Sequence, residues 1–476
     1  MKGYARLLFA IVAAAAFAVS CGKDDETDTS SLTFASPALY FSGADESQHV
    51  AFSAEGVDNL YISSTPEGWT ATLDAAARSV TVAAPTLADL AEEKTERSGS
   101  IVLAGTSYAG NSKSATLFVG ITPRVDLSAK AANCYLVSQK ETHYTFAPRQ
   151  NGRLLEPASV GIVWQSAANL LQYVQQENGS VSFYVGADAE ETTRIKRGNA
   201  LVGAYDASGA LIGSWHIWVA DYDPEADALE YANGYRVMSR NLGALDNANT
   251  TPEERVASYG LFYQWGRKEP FVGPASYRAN TGTSATMYDG SGSRISMTTT
   301  AATAETGTAA YAAQHPLCYI TGVKETDFDW LWSADDARWN DAANNPCPHG
   351  WRIAPAGAFE GLKIANTPSA ADYDVFGWTL TDDRVSSLYM GAGRRIYADG
   401  TLQNIYIPQS AASQAPLSRA DEAQPWVGLY WTSDAAAGRQ SPALYFWFEK
   451  LTATGGLRNG APYARANGMP VRCVKE

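Results

Sequence analysis

Tyr259-Gly260-Leu261-Phe262-Tyr263-Gln264-Trp265-Gly266-Arg267-Lys268 sets the expectation for how this chain folds. Its central segment, Gln264-Trp265-Gly266-Arg267, is expected to hold a fold together rather than to meet a ligand. The stretch is second of four strings that stand in order in the C-terminal half. Tyr235-Arg236-Val237-Met238-Ser239-Arg240-Asn241-Leu242-Gly243-Ala244 precedes it. Asn345-Pro346-Cys347-Pro348-His349-Gly350-Trp351-Arg352-Ile353-Ala354-Pro355 and Met469-Pro470-Val471-Arg472-Cys473-Val474 follow. Nine of the 13 tryptophans fall within residues 225–476. Across the whole chain, apolar and β-branched runs punctuated by Gly and Pro argue for β-rich domains rather than helical bundles.

A chain of 476 residues is too long for one hydrophobic core, and about three domains are expected. The composition is globular, with 45% hydrophobic and 18% charged residues. A formal charge of −14 without any basic stripe excludes nucleic acid as a partner, because phosphate binding needs clustered Lys and Arg. The five cysteines, Cys21, Cys134, Cys318, Cys347 and Cys473, form no C-x-x-C pair, so no zinc site is expected. In an exported protein one disulfide among the last three is reasonable.

Export is written at the N-terminus. Lys2 and Arg6 precede an apolar stretch, Leu7 to Val19, of about 13 residues, too short to span a bilayer core of roughly 30 Å. Small residues then lead to Ala18-Val19-Ser20-Cys21, so residues 1–20 read as a signal peptide. The site resembles a lipoprotein processing box, with Ala18 where leucine is usual, which implies a lipid on Cys21 and an outer-membrane anchor. Gly22-Lys23-Asp24-Asp25-Glu26 resembles the short Lys-plus-acidic signal that sends Bacteroidetes lipoproteins to the cell surface. Residues 21–32 therefore comprise the lipidated cysteine and a flexible tether.

Residues 33–122 read as short strands separated by turn residues at the spacing of a β-sandwich. Examples are Ala38 to Phe41, Val57 to Ile62, Ser79 to Val82, Ser100 to Leu103 and Thr116 to Ile121. The segment Pro66-Glu67-Gly68-Trp69-Thr70-Ala71, followed by Ser79-Val80-Thr81-Val82, resembles the BACON-type Ig-like module, and Trp69 is expected to pack in its core. Residues 124–222 form a second β-sandwich closed by Gly213-Ser214-Trp215-His216-Ile217-Trp218-Val219. Trp215, Ile217 and Val219 share one face of that strand, and His216 shares the other with Trp218. Trp215 is assigned to the core and His216 to packing. Asp221-Tyr222-Asp223-Pro224 reads as a linker. Two low-complexity loops, Ala275–Ala313 and Pro408–Pro425, interrupt the remainder.

The four ordered strings of residues 225–476 resemble the Fibrobacter succinogenes major paralogous domain. That family is similar to the C-type-lectin-like and formylglycine-generating-enzyme folds. The resemblance implies an α+β domain with a small antiparallel sheet, one or two helices and long loops. It also implies a disulfide between Cys347 and Cys473. Cys134 and Cys318 are then expected as buried thiols. Pro355 to Ile364 fits a helix, with Phe359 and Leu362 on one face. The predicted fold class is thus multidomain and mainly β, two Ig-like β-sandwiches followed by an α+β C-type-lectin-like domain. The whole resembles tip or stalk subunits of fimbriae.

Catalysis is not expected, since none of the common nucleophile, metalloprotease or phosphate-loop motifs is present. Carboxylate pairs such as Asp335-Asp336 and Asp382-Asp383 are adjacent in sequence and read as solvated loop acids. Trp339-Asn340-Asp341 matches a calcium-lectin string, but it precedes Cys347 instead of falling near the last cysteines, so no metal or other cofactor is assigned. Sugar rings stack on exposed aromatics, and the loop candidates are Trp330, Trp332, Trp339, Tyr397, Tyr406, Trp426 and Tyr463. Trp426 leads them because it closes a polar loop. The expected role is an adhesin that binds a glycan or glycoprotein. The alternatives are a structural fimbrial subunit with protein contacts alone, and a carbohydrate-acting or formylglycine-generating-like enzyme.

Overall fold

The computed structural model describes residues 28–476 except 93, 276–283, 366–376, 404–425 and 450–453. The expected signal peptide and Cys21 lie outside the described residues. Strands account for 45% of the described residues and helices for 8%, so the chain is mainly β. The described residues divide into two compact units, 28–36 with 45–119, and 37–44 with 120–476.

In the first unit Ser31–Phe34, Ser47–Glu55, Ser79–Ala83 and Thr70–Asp74 lie side by side and antiparallel. The period-2 alternation of apolar residues sets which face is buried: Val80 and Val82 point inward, as do Ile101 and Leu103 of Ser98–Ser107. Trp69 is buried, and its indole N–H donates to the Glu96 carbonyl at 2.7 Å, so it packs as expected.

The second unit begins with a sandwich. One sheet runs in the order Cys134–Val137, Leu211–Val219, Gly198–Tyr205, Ser159–Gln165, Met287–Tyr288, Arg294–Ile295. The other runs Gln172–Glu177, Ser180–Val185, Thr142–Phe146, Arg124–Asp126, and side chains of both share one core. Trp215, Ile217 and Val219 enter that core, while Trp218 on the opposite face enters a second one. His216 is buried beside Trp218 with a ring nitrogen 2.9 Å from the Asn199 amide oxygen. Burial holds its pKa down at about 3, so it is a neutral packing residue.

No boundary between compact units falls at residues 222–225. Residues 124–222 and 225–476 share a sheet, which runs on into Met287–Tyr288 and Arg294–Ile295, and form one body. Gln165 pairs with Tyr288, Cys134 pairs with Pro348, and the Lys268 ammonium donates to the Ser214 carbonyl and hydroxyl, each at 2.9 Å. The expected loop Ala275–Ala313 also contributes structure, supplying short strands and the helix Ala309–Gln314. The helix expected from Pro355 is a single 3-10 turn, Ala356–Phe359, because Gly361 turns at φ +84° and Lys363–Ile364 pairs as a strand. Phe359 and Leu362 are buried all the same.

The Gln264–Arg267 segment sits where these sheets meet. The Gln264 amide donates to the carbonyls of Ile320 and Ala466 at 2.7 and 3.0 Å. The Trp265 indole donates to the Thr432 carbonyl at 3.0 Å, and its own carbonyl accepts from the Trp330 indole at 2.7 Å. Gly266 adopts φ +80°, where a side chain would also strike Arg338. Arg267 is buried and donates to the carbonyls of Cys318, Ala312 and His315 at 2.8, 3.1 and 3.0 Å. Nearby, Arg465 lies 4.3 Å above the Trp265 ring and 3.6 Å from Asp329, both residues fully buried.

Two predictions follow from these buried groups. Cys347 and Cys473 are bonded across a sequence separation of 126. Replacing both by serine is expected to lower stability by about 4–5 kcal/mol on the chain-entropy model, read from denaturant unfolding with and without reductant. Burial raises the Asp329 carboxyl to about 6, against the pull of the Leu331 amide and Arg465. The folded chain therefore holds this proton more tightly than the unfolded chain. The associated stability is present below about pH 4 and lost as pH rises through about 6, up to roughly 3 kcal/mol. Asp329→Asn should flatten the fall in stability between pH 4 and 7; an unchanged pH profile would refute the assignment.

Candidate functional site

The strands Trp426–Trp431, Gln440–Glu449 and Thr454–Ala464 form an antiparallel sheet with the last at its edge. In Leu444-Tyr445-Phe446-Trp447 the residues alternate: Leu444 and Phe446 are fully buried in one core, while Tyr445 and Trp447 point to the other face, where they pack half-buried against a second core. Their rings stack at 5.0 Å with 14° between planes. Tyr463, on the edge strand, meets Tyr445 at 6.2 Å and 65°. A bulge between Ala443 and Tyr445 sets Arg458 opposite Tyr445 and Gly456 opposite Trp447. Gly456 leaves space for the indole, since a Cβ there would lie 2.5 Å from Trp447 Cη2.

Charge borders this face. The Arg394 guanidinium lies 5.4 Å over the Tyr463 ring, with its Nε buried and without a hydrogen-bond partner among the described residues. Arg458 is exposed. Burial raises the phenols of Tyr445 and Tyr463, so both remain neutral hydroxyls that donate as well as accept. Flat apolar rings, neutral hydroxyls and guanidinium groups in one place suit a ligand with apolar faces and a hydroxyl rim.

Of the aromatics singled out from sequence, Tyr463 joins this group. Trp330 and Trp339 do not serve a ligand: both are buried and donate to the carbonyls of Trp265 and Arg267, at 2.7 and 3.3 Å. They were drawn inside because Gln264–Arg267 needs donors for its carbonyls. Trp332 is 37% exposed, and Tyr397 is half-buried against Phe328 at 4.7 Å, on a loop distinct from the hairpin. Tyr406 lies outside the described residues. Trp426 opens its strand opposite Phe448, and its side chain also lies outside them. Tyr445 and Trp447 escaped the sequence reading because they sit in a strand, where aromatics default to core. The signal that marks them is their i, i+2 spacing beside buried neighbours.

Cys134 and Cys318 are free and buried, as expected. Among the described residues no group of three or more His, Cys, Asp and Glu is placed to hold a metal ion. No helix among them is long and apolar enough to cross a membrane, which says nothing about a β-barrel.

The architecture defines a class no narrower than a mainly β chain of many small sheets. No protein-family model matches the sequence, and no curated protein does. Among solved structures it is similar to the D00–D0 domain of intimin at 13% identity and TM-score 0.15, covering 39% of this chain and 96% of that one. SporoSAG from Toxoplasma gondii matches at 10% identity and TM-score 0.14, over 38% of this chain and 94% of that one. The Bacteroides ovatus protein SGBP-B of a mixed-linkage glucan utilization locus, solved with a mixed-linkage heptasaccharide, matches at 12% identity and TM-score 0.12, over 39% and 43%. Likenesses at these scores carry no function across.

Gly456→Val is expected to displace the Trp447 indole and little else. In protein labelled at tryptophan with nitrogen-15, one indole resonance should move while those of buried Trp265 and Trp330 stay in place. A spectrum unchanged at Trp447 would show that the ring does not lie over Gly456.

Proposed function

We propose that this protein is a non-enzymatic, carbohydrate-binding surface protein, anchored by lipid at Cys21 and binding sugar on the Tyr445, Trp447 and Tyr463 face. The observation that carries the reading is the near-parallel Tyr445–Trp447 pair, partly exposed on an edge hairpin and bordered by Arg394 and Arg458. Rings held flat by a strand and a glycine lose little freedom when a sugar stacks on them, so most of the contact energy is retained. The processing string at Cys21 and the Lys23-to-Glu26 run support display outside the cell. Residues 33–122 serve as a BACON-like stalk, and residues 225–476 as a C-type-lectin-like head, with the sandwich 124–222 fused to it.

A glycan array probed with the detergent-solubilised full chain tests the binding. Saturable binding to a subset of glycans, reduced ten-fold or more by Trp447→Ala, is expected, since hot-spot aromatics contribute about 2 kcal/mol or more. Binding that survives Trp447→Ala and Tyr463→Ala together moves the site elsewhere, and absence of glycan binding favours a structural subunit. Cys21→Ala should shift the protein from the membrane fraction to the soluble fraction of the expressing cell. If the variant stays in the membrane fraction, the lipid anchor is wrong.

A further inference from the structure

Arg394 and Arg458 converge on the Tyr463 phenol from different sheets. Arg458 stands opposite Tyr445 across the ladder of Gln440–Glu449 and Thr454–Ala464, so the two side chains leave the same face. Arg394 belongs to the short strand Arg394–Arg395, which pairs with Leu402–Gln403. The Gly393 amide beside it donates to the Val427 carbonyl at 3.0 Å, and the Arg394 guanidinium ends 5.4 Å over the Tyr463 ring. Burial is the largest influence on the Tyr463 phenol and raises it. The charges that act on it are these two guanidiniums, each lowering it, and no carboxylate of the described residues joins them. The Tyr445 phenol is raised by burial first and by Tyr463 second, and again the only charge acting on it is a guanidinium, that of Arg394.

These polar groups are open to a ligand. Arg458 is exposed, and only the Nε of Arg394 is closed off. The terminal nitrogens of Arg394, the hydroxyls of Tyr445 and Tyr463 and the Trp447 indole N–H all reach solvent. None of them has a hydrogen bond or an ion pair among the described residues. Acids outnumber bases in this chain, 50 to 36, and other arginines find them. Arg124, Arg236 and Arg384 lie 3.1, 3.0 and 3.5 Å from glutamates. Two guanidiniums brought to one phenol without an acid repel each other, and an anion set between them relieves that repulsion.

We propose that the aromatic face selects acidic glycans: a uronate ring stacks on Tyr445 and Trp447, and its carboxylate turns to Arg394 and Arg458. The inference rests on the carbohydrate reading given above and narrows it to a charged class. The carboxylate of a uronate lies at the rim of the sugar ring. A ring held flat against the aromatic pair therefore directs it sideways, where the guanidiniums stand. A guanidinium meets a carboxylate in two parallel N–H···O bonds, and neutral phenols that donate and accept suit the ring hydroxyls.

Calorimetry on the detergent-solubilised full chain tests this with penta-galacturonate, its fully methyl-esterified form and hexaglutamate. The acid should bind at least ten-fold more tightly than the ester at low salt, and added salt should weaken the acid alone. Arg458→Gln and Arg394→Gln should each lower the acid-to-ester ratio several-fold, while Trp447→Ala should weaken acid and ester by a common factor. If Arg394→Gln does not fold, the ratio itself and the exposed Arg458 still decide. Equal affinity for acid and ester overturns the proposal and leaves the carbohydrate reading standing. Hexaglutamate binding as tightly as the uronate overturns it, because charge alone then suffices. Acid binding that survives Trp447→Ala overturns it by placing the acid elsewhere. Absence of binding by both sugars at millimolar concentration also overturns it, and the glycan array then decides the broader reading separately.

Discussion

Every carbonyl buried where the sheets of the second unit converge must find a donor, and Gln264–Arg267 supplies them. Arg267 reaches carbonyls on the helix Ala309–Gln314, on the loop after it and on the strand Cys318–Thr321. Gln264 reaches that strand and Ala466, and Trp265 reaches Thr432. One four-residue segment therefore joins parts of the chain roughly two hundred residues apart, through bonds whose loss would leave groups stranded in a dry interior. Trp330 and Trp339 return the favour by donating to the segment's own carbonyls. The tryptophan richness of this half is thus a matter of indole N–H groups as much as of apolar area.

The same constraint explains why the second sandwich and the C-terminal half are one body. The strand Leu211–Val219 is buried on both faces, with Trp215 in the sandwich core and Trp218 in the next. A strand of this kind cannot end a domain, because its second face would otherwise expose Trp218 and His216 to water. Cys134, Met287 and the disulfide at Cys347 and Cys473 belong to the core that covers it.

Function rests on what this tight interior leaves over. Tyr445 and Trp447 are only partly covered by the core they pack against, and Gly456 on the edge strand lies under the indole.

By itself the sequence determined the β-rich class, the strand segments of both sandwiches, the inward Trp215 and Trp69, and the structural role of Gln264–Arg267. Each of these follows from local periodicity or from residue types that have few alternatives when buried. The Cys347–Cys473 pairing was legible through family resemblance. Tertiary structure alone decided which aromatics remain outside. Trp330 and Trp339 read as loop residues, yet distant carbonyls drew them in; Tyr445 and Trp447, on which the sequence reading was silent, are only partly covered by the core they pack against. Exposure is a property of which elements meet, and that depends on contacts between residues far apart in the chain, which no local pattern encodes.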